Sequence, residues 1–268
     1  MTTLPMPSLT ELPSGLPMPL RRVFAAYLTE MKYESLRMLR SPGFSIPFLL
    51  LPVPVYLFFG VMLAAPAVAK QPSVADYLFS GFSTFAIMGP ALFGVGCALA
   101  IEREAGYLKL KRAFPAPGGA YLIAKMVMAM VFALLAMSTL LVAGVLVGKI
   151  TLSATQLTIM TMVMTVGALP FAALGLLLGA YVSANVAPAI ANLIFLPMMW
   201  LSGLFIPLPK FLEPWAVIWP AFHLNQVALG AAGVSEFSFM PPAISAGVLL
   251  AFTVVTGGLA IRRLARKG

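Results

Sequence analysis

Charge is what this sequence has least of. Only 9% of its 268 residues are charged, against about 25% in a soluble globular domain, so water cannot be the solvent for most of the chain. Cysteine is almost absent: Cys97 stands alone inside an apolar stretch, which leaves no disulfide framework and no thiolate cluster for a metal. Acid–base side chains are also few. There is one histidine, His223, and eight carboxylates, Glu11, Glu30, Glu34, Asp76, Glu102, Glu104, Glu213 and Glu236. All eight fall in loops or at the ends of apolar stretches, and no carboxylate or nucleophile neighbours His223. No paired catalytic carboxylates, metal site or proton relay at membrane depth is evident, and no residue is assigned a catalytic role.

A phosphate-binding loop is lacking too. The nearest approach to G-x-x-x-x-G-K-[ST] is Gly144-Val145-Leu146-Val147-Gly148-Lys149-Ile150. Its glycines are one residue too close, Ile150 replaces the hydroxyl that would hold magnesium, and an apolar span precedes it where a strand belongs. The chain has no visible energy source of its own, and no cofactor is expected on it.

What is present in quantity is hydrophobic sequence, 61% of the residues. A spanning helix needs roughly 20 apolar residues. Uncharged stretches and their breaks predict an all-α membrane protein with six spans, at about 44–65, 77–101, 120–148, 155–181, 187–206 and 239–261. Ser183, Asn185 and Pro188 mark the turn between the fourth and fifth. Pro47, Pro52 and Pro54 predict a kinked first span packed against protein. Gly144-x-x-x-Gly148 and Gly175-x-x-x-Gly179 place small residues one turn apart, which suits close packing within one subunit.

The net charge of +9 raises the question of nucleic acid, but no soluble domain remains to carry a basic groove. Fourteen of the seventeen Lys and Arg residues lie on one side if the N-terminus is cytoplasmic, and only Lys70, Lys149 and Lys210 lie on the other. That positive-inside asymmetry puts both termini in the cytoplasm. Residues 1–19 hold five prolines and no basic residue, so they read as a disordered cytoplasmic tail and not a signal peptide. Over 20–40, Leu20, Phe24, Tyr27, Leu28, Met31, Met38 and Leu39 form a stripe with the basic residues largely off it, the pattern of an interfacial amphipathic helix in contact with membrane lipids. Segment 207–236 is too polar and proline-rich to span. It reads as an outer re-entrant region containing Pro207, Pro220 and His223, with Trp215 and Trp219 anchored at headgroup level.

One charged hairpin, 102–119, lies between the second and third spans: Glu102-Arg103-Glu104-Ala105-Gly106-Tyr107-Leu108-Lys109-Leu110-Lys111-Arg112, then Phe114-Pro115-Ala116-Pro117, with Tyr121 and Lys125 following. Its alternating charged and apolar residues suit docking on a cytoplasmic partner. The same pattern also fits a solvated loop that enforces topology.

These residues resemble the type-2 permease family of ABC transporters, which is related to the G subfamily. Glu102-Arg103-Glu104-x-Gly106-Tyr107 and Tyr121-x-x-x-Lys125 are similar to the family's E-R-E-x-G loop and the opening of its third helix. Ser202-Gly203-Leu204-Phe205-Ile206-Pro207, with Pro214-Trp215 and Pro220-x-x-His223, is similar to its S-G-x-x-x-P run and outer re-entrant segment. Ala221 and Leu229 depart from the larger apolar residue and the arginine more usual there. The resemblance covers about residues 20–265 and implies a permease subunit of an ATP-driven exporter in the bacterial inner membrane. It implies a dimer with a second copy or close paralogue, bound to two ATPase subunits that carry ATP and Mg. It further implies that Glu102, Arg103, Glu104, Gly106, Tyr107, Leu110 and Lys111 couple to the ATPase. The substrate route would pass Phe82, Phe85, Met88 and Phe93 in the second span and Leu196, Met199 and Trp200 in the fifth. Drugs, lipids and lipid-linked glycans all suit such a route, and an ion-coupled carrier or a non-transport scaffold is the competing reading.

Overall fold

The computed structural model describes residues 19–113, 117, 119–206, 208–209 and 211–267. The expected tail over 1–18, the Phe114–Ala116 stretch, Pro207 and Lys210 lie outside the described residues. Every regular element among the described residues is helical, as expected of an all-α membrane protein. We number them α1 (Leu20–Leu39), α2 (Pro42–Leu63), α3 (Ala65–Lys70), α4 (Ser73–Glu104), α5 (Tyr107–Ala113), α6 (Ala120–Val147), α7 (Ala154–Tyr181), α8 (Ala187–Leu201), α9 (Glu213–Ala216), α10 (Pro220–Ala232) and α11 (Pro242–Lys267).

Five of these, α2, α4, α6, α7 and most of α11, are long and apolar enough to cross a bilayer. The expected fifth span of 187–206 is helical only over the 15 residues of α8, about 22 Å at 1.5 Å per residue. Its helix stops where Gly203 takes φ +65°, a left-handed conformation that favours glycine. The backbone beyond is received by α4: the Tyr77 hydroxyl donates to the Gly203 carbonyl, and Gly81 leaves the room that the Leu204 carbonyl fills. Local chain reversal and this docking shorten α8.

The prolines of α2 divide it into Pro42–Leu50, Pro52–Val55 and a wider π-helical run, Tyr56–Leu63. Pro90 introduces a second π-helical turn, Pro90–Gly94, inside α4. Each proline removes an N–H from the ladder, and a neighbouring hydroxyl reaches the disturbed backbone: Thr139 of α6 donates to the Leu49 carbonyl at 3.2 Å.

Helix α4 is the most buried of the long helices. It meets α7 where Gly96, Gly175 and Gly179 stack. A Cβ on Gly175 would sit 2.9 Å from the Leu92 carbonyl, and one on Gly179 would sit 2.6 Å from the Gly96 carbonyl. The second small-residue pair serves the same end, with Gly144 facing the Phe79 ring. Both glycine motifs therefore pack helices within the subunit, where dispersion between close backbones substitutes for a hydrophobic drive that lipid does not supply. The chain leaving that end of α6 is tied down by Asp76, which accepts from the Thr151 N–H at 2.8 Å and from its hydroxyl. Helix α7 then starts in a capping box between Ser153 and Gln156, which satisfies its first free amides.

Candidate coupling and transport site

The charged residues gather at one end of the bundle, where α1, the last turn of α4, α5 and the first turns of α6 meet. We call it the basic end. At its centre Lys125 has no exposed surface and holds two carboxylates, with Nζ 2.8 Å from Glu34 Oε1 and 3.0 Å from Glu102 Oε2. Arg37 joins the same two carboxylates, at 2.8 Å from Glu34 and in direct contact with Glu102. The Tyr121 hydroxyl donates to Glu102, and the Lys125 ammonium lies 4.9 Å from the Tyr121 ring centroid. Two cations and two anions make the knot neutral, which is the condition under which buried charge is tolerated. Burial by itself would lower the Arg37 pKa, but Glu102 and Glu34 together raise it, so its guanidinium stays charged.

This cluster places three features of the sequence. Lys125 lies one and a half turns inside α6, fully buried. Glu102 turns inward to the knot and so shapes the hairpin. On α1 the surface that packs on protein is the side with Glu30, Glu34, Arg37 and Met38, while Leu20, Phe24 and Leu28 of the apolar stripe stay exposed. Sequence periodicity sorts apolar from polar residues, but it cannot show that the polar residues have buried counter-charges waiting on another helix.

Beyond Glu104 the chain turns at Gly106, with φ +80° and open space around it, and enters α5. Leu108 is buried, whereas Tyr107 and Leu110, three residues apart on one face, are 54% and 55% exposed. Lys111 pairs with Glu30 of α1 and stands 4.6 Å from the Tyr121 ring centroid. Burial and the nearby Lys125 charge both push the Lys111 pKa down. Arg103 points the other way and donates to the Val182 carbonyl at 3.0 Å, closing the C-terminus of α7, while exposed Glu104 only approaches it at 3.8 Å. The residues expected to couple thus divide: Glu102, Arg103 and Lys111 make intramolecular bonds, and Tyr107 and Leu110 remain presented outward.

At the opposite end a cavity of about 740 Å³ opens between α2, α4 and the end of α8. Its walls include Phe59, Phe82, Phe85, Met199, Trp200 and Phe205. Four of the seven nominated path residues, Phe82, Phe85, Met199 and Trp200, are therefore brought together. The other three are placed elsewhere. Met88 is sealed in the core, Leu196 is on the exposed side of α8, and Phe93 packs against Phe48 and Phe195. Below the cavity the rings run on in contact, Phe85 to Phe195 at 5.9 Å between centroids and Phe195 to Phe93 at 5.5 Å. Phe195 was not nominated, because nothing in its spacing marks it off from other apolar residues of α8.

Within the segment expected to re-enter, α10 runs from the rim into the bundle. Its C-terminal end is at the rim, where Gln156 donates to the Ala232 carbonyl at 2.7 Å. Its N-terminal half lies deeper: Leu224 packs on Gly167, about 20 Å along α7 from its start. The buried polar residues of α10 are all matched, Asn225 accepting from Ser80 at 2.6 Å and Gln226 from the Phe239 N–H at 2.8 Å. His223 bonds the Val217 carbonyl at 2.8 Å, a structural tie and not a catalytic pairing. Pro220 and Trp219 mark the deep end of α10, with Trp219 half-buried, while Trp215 on α9 is exposed. Trp219 packs against the core, because the helix it precedes points inward.

The chain is 27% identical over 204 residues to "Putative transport permease YvfS" of Bacillus subtilis (strain 168), a match covering 75% of this chain and 81% of that protein. Residues 25–237, which take in the α1 carboxylates, the Glu102 knot, the cavity and α10, match the ABC-2 type transporter family. The chain belongs to the ABC-2 type transporter family.

Proposed function

We propose that this chain is the membrane-spanning permease subunit of an ATP-driven exporter. Its basic end faces the cytoplasm, and two copies, or one copy and a close paralogue, work with two ATPase subunits that carry ATP and Mg. The observation that carries the reading is the way α5 is mounted. Lys111–Glu30 and the Glu34–Arg37–Lys125–Glu102 knot fasten α1, α4, α5 and α6 together, while Tyr107 and Leu110 stay exposed for a partner. A push on that exposed face moves the ends of α4 and α6 as one body, because breaking the knot would leave buried charges unpaired.

The load at the far end of α4 is the apolar cavity. A volume of this size, walled by aromatic side chains and with no charged residue among the described residues that line it, suits a hydrophobic or amphiphilic substrate. The contact of Phe85, Phe195 and Phe93 closes it toward the basic end, so passage of substrate requires those rings to part.

The test is co-expression with a candidate ATP-binding-cassette subunit, followed by purification and reconstitution in vesicles. The expected result is a complex whose ATP hydrolysis drives movement of a hydrophobic fluorescent amphiphile, with the isolated chain neither binding nor hydrolysing ATP. Transport driven by an ion gradient without any ATPase would replace this reading with that of a secondary carrier.

A further inference from the structure

The end of α11 and the end of α7 form a second feature at the basic end, separate from the Lys125 knot. Arg262, Arg263 and Arg266 occupy two adjacent turns of α11. The Arg263 guanidinium lies 4.9 Å from the ring centroid of Tyr181, the last residue of α7. Its Nε is buried and has no hydrogen-bond acceptor. None of the three arginines meets a carboxylate among the described residues. In this they differ from Arg37, Lys111 and Lys125, all of which are paired.

The same helix face explains what could lie there. At 100° per residue, Val255, Leu259, Arg262 and Arg266 share one stripe, all of it exposed. Arg263 sits at its edge, between that stripe and the buried side that carries Thr256, Ala260 and Leu264. Over two turns the surface changes from apolar to basic, with a cation aimed into the seam between α7 and α11 and lacking an anion. A soluble anion would match only the arginines, whereas Val255 and Leu259 lie on the part of α11 that faces acyl chains. A phospholipid with an anionic headgroup matches both parts, its phosphate against Arg263 and Arg266 and its chain along Leu259 and Val255.

We infer that the seam between α7 and α11 at the basic end is a binding site for an anionic phospholipid. Basic pockets between membrane helices bind such headgroups, each Lys or Arg near the surface contributing about 1 kcal/mol. The planar guanidinium of Arg263, stacked on Tyr181, presents its N–H edge to a phosphate. Because Arg103 caps the carbonyl that follows Tyr181, a lipid seated here would also brace the joint between α4 and α7.

The full chain, purified in detergent, is titrated with phosphatidylglycerol or with phosphatidylcholine, and retained lipid is read by native mass spectrometry. Phosphatidylglycerol should be retained in preference, and Arg263→Gln with Arg266→Gln should weaken its apparent affinity about tenfold or more with phosphatidylcholine retention unchanged. That unchanged arm shows that the variant is folded. Arg263→Lys should keep most of the preference, and Arg21→Gln with Arg22→Gln, on α1, should keep it nearly all. Inorganic phosphate should not displace the lipid. Equal retention of the two lipids, no loss in the double glutamine variant, or displacement by inorganic phosphate would each overturn the proposal, the last by showing a free-anion site.

Discussion

Lys125 and Glu102 meet 3.0 Å apart across the gap between α6 and α4, and the lysine that makes the contact has no surface left for water. Removing the ammonium therefore leaves Glu102 and Glu34 to share a single cation, Arg37, so that one buried negative charge is in excess. Lys125→Met is expected to destabilise the protein by about 3–5 kcal/mol, the usual result of breaking one side of a buried ion pair. Adding Glu102→Gln to Lys125→Met should recover part of that loss, since the excess charge is then gone. Thermal unfolding in a single detergent, arranged as a double-mutant cycle, measures both; additive losses would show that the two residues do not interact.

Gly81 and Gly247 provide a matched pair of alanine substitutions. A Cβ on Gly81 would run into the Leu204 carbonyl, a backbone atom that cannot rotate away, whereas Gly247 has nothing within 4 Å. Gly81→Ala should cost about 3 kcal/mol through overpacking and detach the turn that ends α8. Gly247→Ala should be neutral or stabilising by up to about 1 kcal/mol, because alanine is the better helix former. Unfolding midpoints of the two variants decide between packing and a generic intolerance of alanine.

Tyr107 and Arg103 are adjacent to the same turn yet should fail differently. Tyr107→Ala and Leu110→Ala remove exposed side chains, so stability should change by no more than about 0.5 kcal/mol, while ATPase association and transport fall. Arg103→Ala loses the bond to the Val182 carbonyl and should lower stability as well, by about 1 kcal/mol, given its partial exposure. A charge change at Lys149, remote from both, is the control. If Tyr107 and Leu110 variants associate and transport as wild type, α5 is a topological element only.

At the opposite end, Glu236 accepts from Ser73 at 2.7 Å and from Gln71 at 2.8 Å. Those hydrogen bonds favour the carboxylate and hold its pKa below the usual range. A depressed folded-state pKa means that the contribution is fully present above the unfolded value and is lost as pH falls through the folded one. Hydrogen-exchange protection at residues 71, 73 and 74, taken relative to the intrinsic exchange rate at each pH, should therefore fall below the ordinary carboxylate range in the wild type. Glu236→Gln should remove that pH dependence, because no proton remains to be taken up; an unchanged profile in the variant would assign the effect elsewhere.

Much of the architecture is legible in the residues themselves. Uninterrupted apolar runs mark α2, α4, α6, α7 and α11 because a chain in lipid must satisfy its backbone internally, and the prolines of 47–54 mark where the first of them bends. The Glu102 and Tyr121-x-x-x-Lys125 stretches stand out as sequence, and Gly106 signals a turn that the structure places at φ +80°. Less legible are the inward turn of Glu102, the deep end of α10 and the place of Phe195. Each depends on a partner more than sixty residues away or on an adjoining helix, and no local period carries that information.

The sequence alone determined the solvent, the helical class and which end of the bundle is basic, since these follow from composition and from the spacing of charges along one chain. Tertiary structure alone decided which charges are exposed and which are neutralised. Lys125 and Arg263 are both cations near the basic end of a long helix, yet one is enclosed by Glu34 and Glu102 and the other lies against the Tyr181 ring with no carboxylate partner among the described residues. The cost of burying a charge depends on what other helices bring within a few ångströms, so the role of each lysine and arginine was settled only when the helices packed.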